Sequence, residues 1–248
     1  MTKQFGSEKI KPYNEKERKG IQVKRMFDSI AGTYDRLNHT LSFGLDKGWR
    51  QKAIKALASD HPAKLLDIAT GTGDLAIALC KHLHPSSVIG ADLSEGMMDA
   101  GREKAKKQKL SGVLSFEYQD CTALTYPNDT FDAVTAAFGV RNFEDIELGL
   151  REMCRVTRPG GKVVILELST PTQFPIKPVY SIYAKLVIPL LGKWISSEGL
   201  AYNYLPASIK VMPQGEKMVS LLRQSGFSHA KAQTMTFGVC SLYIGIKE

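Results

Sequence analysis

The stretch KLLDIATGTGDLA, residues 64–76, joins a short apolar run to a loop that contains Gly71 and Gly73, and then to a helical pattern. A strand, a glycine turn and a helix in this order form the first βα turn of folds that bind nucleoside cofactors. The glycine spacing alone is a weak indicator, because ordinary tight turns share it. Predicting the fold therefore requires the sequence on either side of this turn.

Downstream of this turn, short apolar runs alternate with helical patterns. The strand-like runs after residues 64–68 are 87–91, 114–118, 131–137 and 162–168, and the helical patterns cover 74–83, 95–109 and 144–157. This alternation predicts an α/β fold with a mostly parallel, doubly wound sheet. The segment Arg158-Pro159-Gly160-Gly161 is predicted to end the third helix and turn the chain into the next strand.

The last part of the chain has a different pattern. A helical pattern near residues 214–225 precedes two strand-like runs, 228–237 and 240–246, which only Gly238 and Val239 separate. A connection this short joins antiparallel strands. We therefore expect a C-terminal antiparallel hairpin that closes one edge of the sheet.

Length and composition favour one domain. The chain has 248 residues, of which 43% are hydrophobic, and a chain of this size buries a sizeable core. We expect a single domain over residues 21–248, with N-terminal helices at 21–60 and a proline-rich insertion on the substrate side at 171–213. Residues 1–20 are polar and basic, and we expect them to form a mobile tail.

Neither a signal peptide nor a spanning segment is recognisable, so a cytoplasmic protein is expected. The four cysteines are scattered without a C-x-x-C pair, which makes a disulfide framework or a metal site improbable. The formal charge is +8, but no nucleic-acid recognition motif accompanies it. The basic N-terminal segment is either a solvated tail or a contact for an anionic membrane surface.

The acidic residues near the glycine loop indicate which cofactor it holds. Asp67 and Asp74 frame the loop, and a carboxylate about 4 Å from a phosphate is repelled by roughly 1 to 4 kcal/mol. A zwitterionic amino acid on a sulfonium, as in S-adenosylmethionine, fits an acidic loop better. Asp92, at the end of the next strand, is expected to bind ribose hydroxyls. Asp120 and Cys121, after the third strand, are expected at the adenine edge.

Three stretches resemble signatures of the UbiE/MenG family of class I S-adenosylmethionine methyltransferases, which C-methylate the quinol ring in menaquinone and ubiquinone biosynthesis. The stretches are MFDSIAGTYDRLNHTLSFGLDKGWR at 26–50, AAFGVRNFED at 136–145 and RVTRPGGKVVILELS at 155–169. The similarity runs from about residue 20 to the end of the chain. Departures from the family pattern stand at Leu37, Asp46, Ala69, Ala137 and Thr157.

The resemblance implies a Rossmann-like class I fold and S-adenosylmethionine as the cofactor. The predicted cofactor-binding residues, from the loop and from positions carried over, are Asp67, Gly71, Thr72, Gly73, Asp92, Asp120 and Cys121. The implied reaction is C-methylation of demethylmenaquinol to menaquinol, with the benzoquinol of ubiquinone biosynthesis as the alternative. An NAD-dependent oxidoreductase and a non-catalytic cofactor-binding module are alternatives from other classes.

The predicted catalytic residues follow from the chemistry of a quinol ring. Its carbon becomes nucleophilic when the adjacent hydroxyl ionises, and Arg141 offers a fixed cation for the resulting oxygen. Tyr34 and Asn142 are expected to complete the hydrogen bonding. The alternative for Arg141 is a loop salt bridge to Glu144 or Asp145. The expected partners are a prenylated quinol and, reversibly, a membrane surface, with a homodimer left open and no nucleic acid.

Overall fold

The computed structural model describes residues 5–187 and 199–248, without the side chains of 199–203. Within these residues, four helices precede a region in which strands and helices alternate. The N-terminal helices are α1 (Gly6–Lys9), α2 (Lys19–Ile30), α3 (Tyr34–Leu41) and α4 (Leu45–Ala58). The alternating region comprises β1 (Lys64–Ile68), α5 (Asp74–Leu83), β2 (Ser87–Asp92), α6 (Glu95–Lys107), β3 (Leu114–Tyr118), β4 (Phe131–Ala137), a 3-10 turn (Val140–Asn142), α7 (Ile146–Val156) and β5 (Thr157–Leu168).

The C-terminal part adds helices and a hairpin. Its elements are α8 (Ile176–Ile182), a π-helical turn (Tyr183–Val187), α9 (Gly199–Val211), α10 (Glu216–Gln224), β6 (Phe227–Met235), a 3-10 turn (Thr236–Gly238) and β7 (Cys240–Lys247). The expected insertion at 171–213 thus contains α8, the π-helical turn and α9. Trp194, within the same segment, lies outside the described residues.

The strands form one sheet in the order β3-β2-β1-β4-β5-β7-β6. The first five are parallel to one another, and β7 runs antiparallel to both β5 and β6. The predicted fold class, a mostly parallel doubly wound sheet with a C-terminal antiparallel hairpin, is confirmed. Because the strand order reverses between β1 and β4, a crevice opens outside the carboxyl ends of these strands, where such folds bind ligands.

The start of β5 differs most from its predicted boundary. The strand expected to start at Lys162 starts at Thr157, because Thr157 pairs with Phe131 of β4 across an irregularity in the register. Gly160 has φ +77°, so the Pro-Gly-Gly segment forms a bulge inside β5 and not a turn before it.

Two hydrophobic cores cover the two faces of the sheet. On one face, α7 and α10 bury Leu150 and Leu222 against the strands. On the other face, α4 and α5 bury Leu57 and Leu79. A smaller cluster joins Val23, Met26 and Ile30 of α2 to Tyr204 of α9, which places α2 above the carboxyl ends of the strands.

The N-terminal segment is packed against the body of the protein. The ammonium group of Lys19, which is 2% exposed, donates to the carbonyl oxygens of Ser7, Arg141 and Phe143 at 2.8, 2.9 and 3.1 Å. The carboxylate of Glu8 accepts from the backbone N–H of Ile146 at 2.8 Å. The expectation of a mobile tail therefore does not hold for residues 5–20.

Candidate functional site

An open cavity of about 770 Å³ lies at the carboxyl ends of β1, β2, β3 and β4. We call it the strand-end cavity. Its polar lining includes Asp92, Gln119, Asp120 and Asn142, and its apolar lining includes Val23, Phe27, Ile68, Leu93, Met97 and Phe138. Its size is within the range typical of small-molecule sites. Of the predicted cofactor-binding residues, Gly71, Asp92, Asp120 and Cys121 line it.

Asp92 connects the glycine loop to the start of α6. One carboxylate oxygen accepts from the backbone N–H of Gly71 at 2.8 Å, and the other accepts from the N–H of Ser94 at 2.9 Å. Burial raises the pKa of Asp92, and these N–H groups act against that rise. A carboxylate oxygen accepts more than one hydrogen bond, so Asp92 keeps acceptor capacity on the side that lines the cavity.

Asp120 and Cys121 follow β3, which neighbours β2 in the sheet, and both line the strand-end cavity. One Asp120 oxygen accepts from the backbone N–H and the hydroxyl of Thr122, at 2.8 and 2.7 Å. Burial raises the pKa of the Cys121 thiol well above its usual value, so the thiol is protonated and neutral. This side of the cavity thus presents one carboxylate and an otherwise neutral wall.

The three other predicted cofactor residues stabilise the loop and are not part of the cavity lining. Asp67, which is 1% exposed, accepts from the hydroxyls of Thr70 and Thr135 at 2.7 and 2.6 Å. The hydroxyl of Thr72 donates to Asp35 at 2.5 Å. Gly73 has φ +77°, and a Cβ there would lie 2.7 Å from Phe116, so glycine is required for packing.

Ala69 departs from the family pattern at a strained position. It has φ +51°, a conformation that glycine adopts without steric cost and other residues rarely adopt. A Cβ on Gly139 would lie 2.4 Å from the Cβ of Ala69. The alanine thus lies at a close approach between the glycine loop and the loop that follows β4.

Asp74 does not line the strand-end cavity. Its carboxylate lies 2.6 Å from the ammonium of Lys104 and 3.4 Å from the guanidinium of Arg50. Lys104 also bonds Asp35 at 2.7 Å. The prediction that Asp74 repels a phosphate in the cavity is therefore wrong, since nearby cations balance its charge.

Helix α2 covers the strand-end cavity through residues that the sequence analysis missed. Gly20, Val23, Lys24 and Phe27 line the cavity. Asp28, one turn further along α2, accepts from the Ser94 hydroxyl at 2.5 Å and from the Gly96 N–H at 3.2 Å. The i, i+4 spacing of Val23 and Phe27 could have indicated a shared face, but nothing local indicates what that face covers.

A second open cavity, of about 670 Å³, adjoins the first. We call it the aromatic cavity. It is lined by Tyr34, Asn38, Leu41, Ser42, Asp46, Trp49, Arg50, Phe138, Arg141, Leu168, Tyr180, Tyr183, Leu205, Ile209 and Val239. Tyr34 and Phe138 line both cavities, so these two side chains form the shared wall. The aromatic cavity suits a largely apolar ligand with a polar end.

Arg141 lines the aromatic cavity. Its Nη1 lies 2.7 Å from Oε1 of Glu167, and the side chains are 6% and 1% exposed; the same nitrogen also donates to the carbonyl oxygen of Phe138. The alternative of a salt bridge to Glu144 or Asp145 is wrong, because Glu144 pairs with Arg18. Burial acts to lower the pKa of Arg141, but the Glu167 carboxylate outweighs it and the pKa is raised.

Three further features characterise Arg141 and the other two predicted catalytic residues. Among the described residues, the buried Nε of Arg141 has no hydrogen-bond partner. Tyr34 is half-buried, and burial raises the pKa of its phenol, so Tyr34 is a neutral donor at physiological pH. Asn142 lines the strand-end cavity, and its side-chain oxygen accepts from the Tyr204 hydroxyl at 3.1 Å. The three predicted catalytic residues thus lie around the boundary between the cavities.

The aromatic cavity also contains a polar cluster that the sequence analysis did not predict. Asp46 accepts from Ser42 at 2.7 Å, lies 2.8 Å from His39 Nδ1, and pairs with Arg50. In the sequence, Asp46 is notable only as a departure from the family pattern. Its partners Ser42 and Arg50, at i−4 and i+4, could have been predicted from the sequence. Its position in the lining of the aromatic cavity could not.

A family model described as the ubiE/COQ5 methyltransferase family matches residues 13–247. A demethylmenaquinone methyltransferase from Bacteroides fragilis is 52% identical over 243 residues, covering 98% of this chain and 99% of that protein. A ubiquinone/menaquinone biosynthesis C-methyltransferase UbiE from Geobacter sulfurreducens is 43% identical over 230 residues, covering 92% and 90%.

Solved structures resemble the fold. An S-adenosylmethionine-dependent methyltransferase from Thermotoga maritima has a TM-score of 0.63 at 18% identity, covering 91% of this chain and all of that chain. At this identity the likeness concerns the fold alone. Separately, none of the helices in the described residues combines the length and apolarity needed to span a bilayer.

Proposed function

The chain belongs to the ubiE/COQ5 methyltransferase family, and on that premise we propose that it methylates a ring carbon of demethylmenaquinol with S-adenosylmethionine, giving menaquinol. The observation that carries the proposal is the wall of Tyr34 and Phe138 that the strand-end and aromatic cavities share. Two adjoining cavities of different polarity suit a charged nucleoside cofactor beside an apolar acceptor. The name of the Bacteroides fragilis relative supports this acceptor.

The strand-end cavity fits S-adenosylmethionine better than a dinucleotide. Asp92, Asp120 and Glu144 line it; Glu144 is paired with Arg18, and the lining cation Lys24 is paired with Asp28 at 2.7 Å. Such a wall favours a cationic sulfonium over a pyrophosphate. Asp92 would bind the ribose hydroxyls, and the wall around Asp120 and Cys121 would contact the adenine.

The aromatic cavity fits the acceptor. Trp49, Phe138, Tyr180 and Tyr183 provide flat apolar surfaces for a fused ring and the start of a prenyl chain. Two cations line the cavity, Arg50 and Arg141; Arg50 is paired with Asp46 and Asp74, and we assign the contact with the acceptor to Arg141. Its guanidinium would hold the ionising hydroxyl of the quinol, which raises the electron density at the neighbouring ring carbon.

When bound, S-adenosylmethionine would supply a methyl group on a sulfonium; in-line attack by the electron-rich ring carbon would form the new carbon–carbon bond and release S-adenosylhomocysteine. Arg141 stabilises the negative charge on the quinol oxygen, and Tyr34 donates to the same end of the ring. Arginine is too basic to accept a proton at neutral pH, so we assign the hydroxyl proton, and the ring proton lost after methyl transfer, to solvent water. Asn142, held by Tyr204, positions the acceptor at the boundary between the cavities.

The benzoquinol of ubiquinone biosynthesis is a second candidate acceptor, because the Geobacter sulfurreducens relative carries both pathways in its name. Family membership decides against the NAD-dependent oxidoreductase alternative. We also propose reversible association with a membrane surface from the cytoplasmic side, because the acceptor carries a prenyl chain. Whether the chain forms a homodimer stays a prediction.

The test is incubation with methyl-labelled S-adenosylmethionine and demethylmenaquinol, with parallel reactions on the demethylated benzoquinol. We expect labelled menaquinol, identified by chromatography and mass. Label in the benzoquinol product alone would make the second candidate correct. Binding of S-adenosylhomocysteine without transfer to either lipid would indicate a non-catalytic binding module and would overturn the proposal.

A further inference from the structure

Exposed apolar side chains are concentrated on three segments. Ten large hydrophobic side chains are exposed among the described residues, and seven of them belong to the turn at 43–45, the segment 174–186 and the turn at 236–238. The seven are Phe43, Leu45, Phe174, Val179, Ile182, Leu186 and Phe237. We call them the apolar rim. Clustering of this kind marks an interaction surface, whereas scattered exposed residues do not.

The three segments all adjoin the aromatic cavity. Ser42, Asp46, Tyr180, Tyr183 and Val239 line that cavity, and each is next to or within a few residues of the rim. The Tyr183 hydroxyl donates to the Leu41 carbonyl at 2.5 Å, and its ring centroid lies 6.1 Å from that of Phe43. The apolar rim therefore surrounds part of the opening of the aromatic cavity.

Helix α8 presents apolar residues without a buried face. None of its residues is buried; its Val179 and Ile182 are 63% and 59% exposed, and Leu186 in the following π-helical turn is 58% exposed. The spacing of three residues places Val179 and Ile182 on one side of the helix. The described residues leave this apolar side uncovered.

Two rim phenylalanines are held in a strained backbone conformation. Phe43 and Phe237 have φ +52° and +54°, yet each side chain is 77% exposed. Left-handed φ is unfavourable for bulky residues, and such strain clusters at functional sites. The Phe43 ring lies beside Tyr183, but the fold buries neither phenylalanine, so burial does not account for the strain.

The charges around the apolar rim identify the partner. Lys47, Lys177 and Lys185 are exposed, residues 170–187 contain no acidic residue, and Asp46 is paired with Arg50. Exposed apolar tips among lysines fit a bilayer with anionic headgroups. A second copy of the chain fits poorly, because a two-fold axis would bring like charges together.

We propose that the apolar rim is the surface by which the protein docks on an anionic lipid bilayer, with the aromatic cavity opening toward the membrane. This inference rests on the proposed function for its biological meaning, since the lipid acceptor would enter from the bilayer. The apolar rim, and not the basic N-terminal segment, is then the proposed membrane contact. In that segment Lys19 is buried, and Arg18 and Arg25 pair with Glu144 and Glu17.

The test is flotation on vesicles of phosphatidylcholine with and without phosphatidylglycerol, in the absence of cofactor and quinol. The double variant Phe43→Asn with Phe237→Asn keeps residues that tolerate left-handed φ. We expect its partition coefficient to fall by about tenfold per phenylalanine removed. Leu148→Asn, at another exposed apolar position that is 41% exposed, is the matched control and should bind like the unmodified protein.

A second measurement checks insertion directly. Phe237→Trp should lose fluorescence on vesicles with brominated acyl chains, and Leu148→Trp should not. Equal flotation of the double variant and the control would overturn the proposal. So would a change from dimer to monomer in sedimentation with unchanged flotation, because the rim would then be a contact between copies. Neither result depends on methyl transfer, so failure of the proposed function is seen separately in the labelling assay.

Discussion

Arg141 and Glu167 form a buried ion pair that holds the loop after β4 against the end of β5. Besides the contact of 2.7 Å between the side chains, the Arg141 backbone N–H donates to the other Glu167 oxygen at 3.2 Å. Glu167 thereby fixes the position of the cation in the aromatic cavity and balances part of its charge.

Replacing Arg141 by alanine should separate chemistry from cofactor binding. We expect kcat to fall by about two to three orders of magnitude, the effect of losing one donor to a developing charge. Affinity for S-adenosylhomocysteine should stay within a few-fold, because Arg141 does not line the strand-end cavity. Arg141→Lys should restore little activity, since an ammonium does not reproduce the planar guanidinium. Near-normal turnover at saturating acceptor would refute the assigned role.

The same variant should also be less stable, which requires a control. Removing one partner of a buried pair costs about 3 to 5 kcal/mol in unfolding free energy, here because Glu167 loses its cation. Combining Arg141→Ala with Glu167→Gln removes the unpaired charge, and we expect stability to recover while kcat stays low. Chemical denaturation gives the unfolding free energy of the two variants, and initial rates give their kcat. If both stability and kcat recovered in the double variant, Arg141 would act only on folding.

Asp92→Ala should weaken cofactor binding. The lost hydrogen bonds to ribose, together with the released Gly71 and Ser94 N–H groups, should cost about 1.5 to 3 kcal/mol, which is roughly tenfold or more in affinity. Titration calorimetry with S-adenosylhomocysteine measures the loss. Asp99→Ala, on the exposed side of α6, is the control and should bind normally. Unchanged affinity in Asp92→Ala would remove Asp92 from the cofactor site.

Asp67 should make the stability depend on pH. Burial raises the pKa of Asp67 from 3.8 to about 6, so the folded state holds this proton in a range where the unfolded state has lost it. The contribution of Asp67 to stability is therefore most favourable below about pH 4 and decreases as the pH rises to about 6. The change should be about 3 kcal/mol. Denaturation of the protein and of Asp67→Asn at several pH values isolates the contribution of Asp67. If the difference in unfolding free energy between the two proteins did not change with pH, the prediction would be wrong.

Lys19→Met should destabilise the protein, because three buried carbonyl groups lose their donor. We expect a loss of about 2 to 5 kcal/mol near neutral pH. Burial lowers the pKa of Lys19 from 10.5 to about 8, so the unfolded state binds more protons between these values. Stability relative to Lys19→Met should therefore rise with pH in that window. A difference that falls with rising pH would show that Lys19 is not desolvated in the folded protein.

The strands and the glycine turn could be predicted because they depend on local pattern. The runs at 64–68, 114–118 and 131–137 match β1, β3 and β4 to the residue, and acidic residues after successive parallel strands meet at one edge by topology. Asp92 and Asp120 could therefore be expected in one cavity. Periodicity within a segment carries this information, since each side chain's face follows from the backbone repeat.

What the tertiary structure alone decided was which groups meet across long separations. Arg141 pairs with Glu167, 26 positions away, and not with the neighbouring acids, and Lys19 bonds Arg141 across 122 positions. Asp74 is balanced by Lys104 of another helix, and β5 starts early because Thr157 finds a partner in β4. A sequence pattern fixes the direction of a side chain relative to its own element. The partner, the burial and the charge balance depend on how the elements pack, because a buried charge must find its counterpart wherever the fold places one.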